Sequence, residues 1–397
     1  MQEGLLFHAL LAPESAVYFE QVSCRLNGLE HAPKFRRAWQ QVVDRHSSLR
    51  TCFHWKNQKR PLQIARQHSE LPWTEYDWRA IESDERQERL KALAEEDRRS
   101  GFDLAKAPLM RCTLIRLDDT DYHFLWSHHH LILDGWSASL VVKEVFNIYE
   151  ALCTGETLRV PAPPAFRDYI AWLAKRDPSH DEAFWRENLS GFSEPTRIAG
   201  THRGRALDEP EAEYDERELR LSPDVTAMLQ QLAAQHRLTL NCMVQGAWAL
   251  LLSRIGVGRD VVFGSTVSGR PPELSGVESM VGVFINALPV RVRVPSTVRL
   301  LPWLQGLMAE QIEREQHAYR SLAEIQSFSN IRPGDPLFET LVIFENYPLR
   351  DSAGTFEIDE LRLFRRANYP LTLVVVPETC LHLAISFDTS RHESETI

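Results

Sequence analysis

The stretch Ser127-His128-His129-His130-Leu131-Ile132-Leu133-Asp134-Gly135-Trp136-Ser137 constrains this chain more than any other. A strand-like apolar segment leads into it and a helix-like segment leaves it. Strand, tight turn and helix in succession form the building unit of α/β folds. Three adjacent imidazoles and a carboxylate at the join are costly to bury unless each finds a partner. A histidine at the centre of such a turn also suits acyl transfer.

The 397 residues, 43% of them hydrophobic, suffice for two sizeable cores. A net charge of −10 argues against nucleic-acid binding through the whole surface. Cys24, Cys52, Cys112, Cys153, Cys242 and Cys380 form no CxxC or CxxH pair, which argues against a zinc site or a disulfide lattice. Their apolar settings fit reduced thiols in a cytoplasmic protein. The N-terminus shows no basic-then-apolar leader, and no apolar run reaches the roughly 18 residues of a membrane span. The chain reads as incomplete at both ends: Gln2-Glu3-Gly4-Leu5-Leu6 enters without a cap or lead-in, and residues 392–397 read as the start of a helix, so a truncated C-terminal lobe is expected.

Periodicity predicts a strand over 17–27, a helix over 32–49 and a strand over 51–55. Residues 84–100 are strongly charged and read as a solvated helix. Residues 109–117 and 122–128 form an expected antiparallel pair around an Asp118–Asp121 turn, and an amphipathic helix covers 137–152. Pro161-Ala162-Pro163-Pro164 breaks the pattern, because proline removes a donor and fixes φ. Short helices follow at 166–174 and 181–189, then a polar linker over 191–213. The second half predicts helices at 223–236, 240–255 and 300–319, with strands at 261–268, 286–294, 339–346, 372–376 and 380–387. The expected architecture is α/β, with an N-terminal lobe over 1–175, a connecting helix and linker over 176–213, and a C-terminal lobe over 214–397.

His130 is the candidate proton acceptor, since an ordinary imidazole titrates near neutral pH. Asp134 would be costly to bury without an arginine, and Arg50 and Arg270 are the two candidates. Gly135 permits close approach or an unusual φ, and its N–H is a candidate oxyanion donor. The plainer alternatives are a satisfied core histidine and metal ligation. Consecutive side chains on a strand point to opposite faces, which weighs against a shared metal. No G-x-S-x-G elbow, Walker loop or glycine-rich dinucleotide loop occurs, which disfavours an ordinary esterase, ATPase or dehydrogenase.

His129 through Gly135 matches the full HHxxxDG motif of the condensation domains of nonribosomal peptide synthetases, and the chain resembles that family along its whole length. Arg45 through Phe53 is similar to its RHxxLRTxF motif, and Phe166 through Trp172 to its Y-x-D-F/Y-A-x-W motif with Phe in first place. Val281 through Arg291 is similar to VGxFxNTLPxR, with Ala for Thr. Leu5 through His8 resembles the opening motif. His317 through Leu322 is a looser match, and Pro336 through Pro348 carries the LFETLxxFENYP variant.

The resemblance implies two lobes similar to chloramphenicol acetyltransferase, set as a V, with a tunnel between them and a crossover segment from the second lobe over it. It implies His130, Asp134, Gly135 and His129 as the catalytic set, with Arg50, Arg270, Asn286 and Arg45 in support. It also implies peptide-bond formation between an upstream acyl or peptidyl thioester and the amine of a downstream aminoacyl thioester. Each is held on the 4′-phosphopantetheine arm of a carrier protein beside an adenylation domain. The domain itself would hold no cofactor or metal and bind neither nucleic acid nor membrane. Whether His130 takes the amine proton or only holds the amine stays open. Competing readings are a silent carrier-docking module and an acyltransferase using a free amine or alcohol.

Overall fold

A computed structural model describes residues 2–11, 17–156, 161–198, 214–256, 258–332, 335–345, 356–365, 369–392, 394, 395 and 397. Most of the expected linker, 199–213, and Asn346, Tyr347 and Pro348 of the late motif lie outside the described residues.

In chain order, α1 (Gln2–Leu11) and β1 (Phe19–Asn27) precede α2 (Ala32–Arg45), which buries Phe35, Ala38, Trp39, Val42 and Val43 on one face. Three short strands follow, β2 (Thr51–His54), β3 (Leu62–Ala65) and β4 (Trp73–Asp77). The charged helix α3 (Ser83–Ser100) buries none of its residues. The expected hairpin is β5 (Met110–Arg116) and β6 (Tyr122–His129), and α4 (Gly135–Thr154) leaves the histidine turn. Next come α5 (Phe166–Ala174), α6 (Ser179–Asn188), β7 (Tyr214–Arg220), α7 (Pro223–Gln235), α8 (Leu240–Ile255), β8 (Asp260–Val267) and β9 (Asn286–Arg293). The chain continues through α9 (Leu300–Gln316), α10 (Leu322–Ser327), β10 (Thr340–Phe344), β11 (Glu357–Arg365), β12 (Leu371–Pro377) and β13 (Leu381–Asp388).

Two sheets organise the two lobes. The first has the order β11-β1-β6-β5-β4 and the second β7-β13-β12-β10-β8-β9. The first core packs Trp39, Phe124, Trp126, Ile132 and Val145 from α2, β6, the histidine turn and α4. The second packs Trp248, Phe263, Val290, Leu307 and Phe387 from its sheet and the helices against it. A separate cluster of Phe166, Tyr169, Val277, Met280 and Phe284 lies at the junction, so α5 packs on second-half residues.

The sequence pattern missed α1, α10 and the strands β3, β4, β7 and β11. Strands β4, β7 and β11 are largely exposed and rich in polar residues, so apolar/polar alternation has no buried face to report, and β3 spans only four residues. Strand β11 matters most. It leaves the second half of the chain and pairs antiparallel with β1 at the edge of the first sheet. Through it the second half of the chain crosses over to the first sheet.

Candidate active site

All eight residues of β6 are buried, because β1 and β5 flank it and helices cover it. The three imidazoles at its end diverge. His128 packs on Trp126, with ring centres 4.7 Å apart. His129 points into the core beside Phe102. His130 lies just beyond the strand, and its N–H donates to the Tyr18 carbonyl. It keeps 17% of its side chain accessible against 1% for His128, so it is the ring that solutes can reach. Among the described residues, no group of three or more His, Cys, Asp or Glu side chains is arranged to hold a metal.

His129, expected in the catalytic set, faces away from the accessible side of the turn. It is buried, and its Nδ1 accepts the Leu131 N–H at 3.1 Å, which closes the turn. Burial pushes His128 down to about 4 and His129 down to about 3, so both stay neutral at neutral pH.

Asp134 is 3% exposed and caps α4. One carboxylate oxygen accepts the Ser137 N–H at 2.8 Å, and the other accepts the Phe284 and Ile285 N–H groups at 2.9 and 3.3 Å. Its own N–H donates to Gly282 O, and Ser137 Oγ bridges both backbone groups of Gly282. The histidine turn is thus stitched to the VGxFxN segment of the second half.

Arg270 supplies the counter-charge, with Nη2 3.5 Å from Asp134 Oδ1 and 2.8 Å from Ser137 Oγ. Its guanidinium sits 3.9 Å from the centre of the Phe284 ring. Burial lowers its pKa, and Asp134 partly offsets that. Two glycines make the seam possible. Gly269 adopts φ +59°, and a Cβ there would collide with the Phe284 carbonyl oxygen. A Cβ on Gly282 would run into the Phe166 ring.

The other supporting residues sit elsewhere. Arg50, the alternative partner for Asp134, is corrected: it donates to the carbonyls of Val43, Arg66 and Gln67 and ties α2 to the β3 hairpin. Arg45 pairs with Glu144 and holds α2 on α4. Asn286 donates to Ala318 O and Arg320 O at 2.8 and 2.7 Å and anchors the loop after α9. Gly135 is the first residue of α4 and has no positive φ, so of the two expectations, close approach or an unusual φ, the second does not hold; its N–H stands in the first turn, where amides lack intrahelical acceptors.

Sequence reasoning missed Glu20 and Tyr18. Glu20 Oε1 lies 3.2 Å from His130 Nδ1, and Oε2 lies 3.4 Å from His128 Nε2. The Tyr18 ring stacks on His130 at 6.3 Å. The sequence offered no clear signal, since β1 also carries Gln21, Ser23, Arg25 and Asn27, and the target of Glu20 depends on the β1–β6 register.

A cavity of about 520 Å³ opens at the junction. Its walls include Gln2 and Leu6 of α1, Phe53 of β2, Tyr169 of α5, Val283 and Tyr319. His130 is not one of its lining residues, but Gln2 joins the wall to the histidine turn by donating to Leu131 O at 2.9 Å.

Comparison with known proteins gives one answer. The family model described as "Condensation domain" matches residues 1–397. One of the linear gramicidin synthase proteins of Brevibacillus parabrevis is 42% identical over all of this chain, which spans 8% of that protein. Chondramide synthase of Chondromyces crocatus is 40% identical over 96% of this chain and is matched over 10% of its own length. The starter condensation domain of rhizomide synthetase superposes with a TM-score of 0.84 at 20% identity, covering 99% of this chain and 89% of that one. The first condensation domain of the calcium-dependent antibiotic synthetase superposes with a TM-score of 0.80 at 19% identity, covering 100% and 91%. These folds share the two-lobed, V-shaped α/β arrangement. With a histidine turn sewn across the junction and a family match from end to end, the chain belongs to the condensation-domain family, the enzymes of this kind in nonribosomal peptide synthetases.

Proposed function

We propose that this chain forms a peptide bond between two carrier-bound substrates. The donor is an acyl or peptidyl thioester on one phosphopantetheine arm, and the acceptor is the free amine of an aminoacyl thioester on another. The amine attacks the thioester carbonyl, a tetrahedral oxyanion forms, and its collapse expels the donor thiolate. The product stays on the acceptor arm. A thioester is already activated, so alignment of two tethered reactants can supply much of the rate.

In this reading His130 takes the proton lost by the attacking amine and returns it to the departing thiolate. The Gly135 N–H, at the positive end of the 20-residue helix α4, is the candidate donor to the oxyanion. Asp134 and Arg270 hold the turn and do not touch substrate. One observation carries the reading: His130 is the accessible ring of three, on a turn whose carboxylate is bonded to both halves of the chain.

Upstream and downstream carriers and a neighbouring adenylation domain are the partners this chemistry requires. A cytoplasmic site belongs to the same proposal; all six cysteines are free thiols, and among the described residues no helix is long and apolar enough to cross a membrane. Intact mass spectrometry of both carriers after mixing with the domain tests the proposal. Donor mass should move onto the acceptor carrier. Binding without transfer would leave a docking module, and transfer only to an untethered amine or alcohol would indicate a different acyltransferase.

A further inference from the structure

We propose that Glu20 is a positioning residue: its carboxylate holds the His130 ring through Nδ1 and leaves Nε2 for the attacking amine. The inference rests on the role of His130 proposed above.

The start of β1 grips His130 in three ways. The Tyr18 carbonyl takes the His130 N–H at 2.8 Å, the Tyr18 ring stacks on the imidazole, and Glu20 Oε1 stands 3.2 Å from Nδ1. Tyr18 itself has φ +65°, a left-handed conformation that a residue with a bulky side chain avoids. Such strain persists where surroundings impose it, commonly beside functional groups. His130 Nδ1 is buried and, among the described residues, has no aligned hydrogen-bond partner. Glu20 is therefore at ion-pair distance but not yet in hydrogen-bond alignment. Contacts of that kind often tighten only when substrate is bound.

The charges around the pair favour this arrangement. Glu20 lies in register between Arg365 of β11 and His128 of β6, so the three form one row across the sheet. Arg365 also contacts Glu345, which follows β10 in the second lobe. The titratable groups facing the pair are thus His128 and His129 on β6, Tyr18 on β1, Arg365 on β11 and Glu345 beyond it. Burial opposes ionisation of Glu20, yet His130, His128 and Arg365 together bring its carboxyl below the ordinary value. An anion kept beside Nδ1 fixes the Nδ1–H tautomer and stabilises the imidazolium that proton transfer creates. The crossover strand, by supplying Arg365, keeps that anion charged.

Glu20→Gln retains an acceptor and removes the charge; Glu20→Asp retains the charge. The direct readout is pH titration of the ¹⁵N-histidine-labelled chain by NMR, with the His130 signal identified by its loss in His130→Ala. Glu20→Gln should mix the His130 tautomers, while Glu20→Asp keeps the wild-type tautomer. With the carriers used in the transfer assay, Glu20→Gln should cut turnover about tenfold. The acid limb of its pH profile should move to lower pH, and KM for each loaded carrier should stay within about twofold. Glu20→Asp should recover part of the rate and would decide the matter if Glu20→Gln fails to fold. An unchanged His130 tautomer and an unshifted acid limb in a folded Glu20→Gln chain would overturn the inference. If His130→Ala is inactive while Glu20→Gln is normal, only this inference fails. If His130→Ala transfers normally, the proposed role of His130 fails, and this inference with it.

Discussion

Two carboxylates flank the histidine turn, Asp134 buried and Glu20 half-buried, and they are held in opposite ways. Asp134 has every oxygen engaged, by three backbone N–H groups and the Arg270 guanidinium. Glu20 faces two imidazoles and an arginine without an aligned hydrogen bond to His130. A fully satisfied carboxylate fixes a shape, and a partly satisfied one beside an accessible imidazole leaves room for a proton to move. Under the proposed mechanism, the lock and the chemistry of this turn therefore fall to different residues.

The largest expected effect comes from breaking the lock. Asp134→Ala should cost about 3–5 kcal/mol of stability, because a buried arginine and three amides lose their acceptor. Activity should fall with it, and a melting midpoint equal to wild type would refute the assignment. His130→Ala should separate chemistry from shape. It should lose about 10²–10⁴-fold in transfer while its denaturant midpoint stays close to wild type; near-normal transfer would remove His130 from the mechanism.

Acid should weaken the first lobe through the buried histidines of β6. His123 and His128 titrate at about 4 in the fold, chiefly through burial, against an ordinary value of 6.5. The unfolded chain therefore binds more protons between those values. Stability is complete above pH 6.5 and is lost as pH falls towards 4, by about 1.4 kcal/mol per pH unit for each such histidine. Glu20, with a lowered folded value, adds to the loss only below the ordinary carboxyl range. His128→Gln should show a shallower fall in stability between pH 6.5 and about 4.5 by chemical denaturation; an identical slope would reject burial of a neutral His128. The smallest effect is expected away from the seam. Arg45→Ala removes a partly accessible pair with Glu144 and should cost about 1 kcal/mol or less, with transfer unchanged; a loss of activity comparable to Asp134→Ala would mean that α2 and α4 also set the turn.

Much of the fold was legible because its buried elements carry period. The apolar spacing of 32–49, 137–152 and 240–255 predicted helices that the structure shows, with ends shifted by a few residues. Strands β5, β6, β8 and β9 were legible for the same reason. Strand β11 was not, because nearly all of its residues are exposed and its partner β1 lies 330 or more residues earlier in register. Of the site, the turn itself was readable. The choice between Arg50 and Arg270 was not, since both are single arginines near motifs; Arg50 is used up by local carbonyls.

The amino-acid sequence alone determined the local unit: a strand too apolar to be solvated, a turn capped by Asp134, and a helix that follows. Those depend on neighbours a few residues apart, where periodicity and capping act. Only the tertiary structure decided which imidazole is exposed, which arginine meets Asp134, and that Glu20 reaches His130. Each of these depends on strand register or on contacts across more than a hundred residues, and no local preference specifies them.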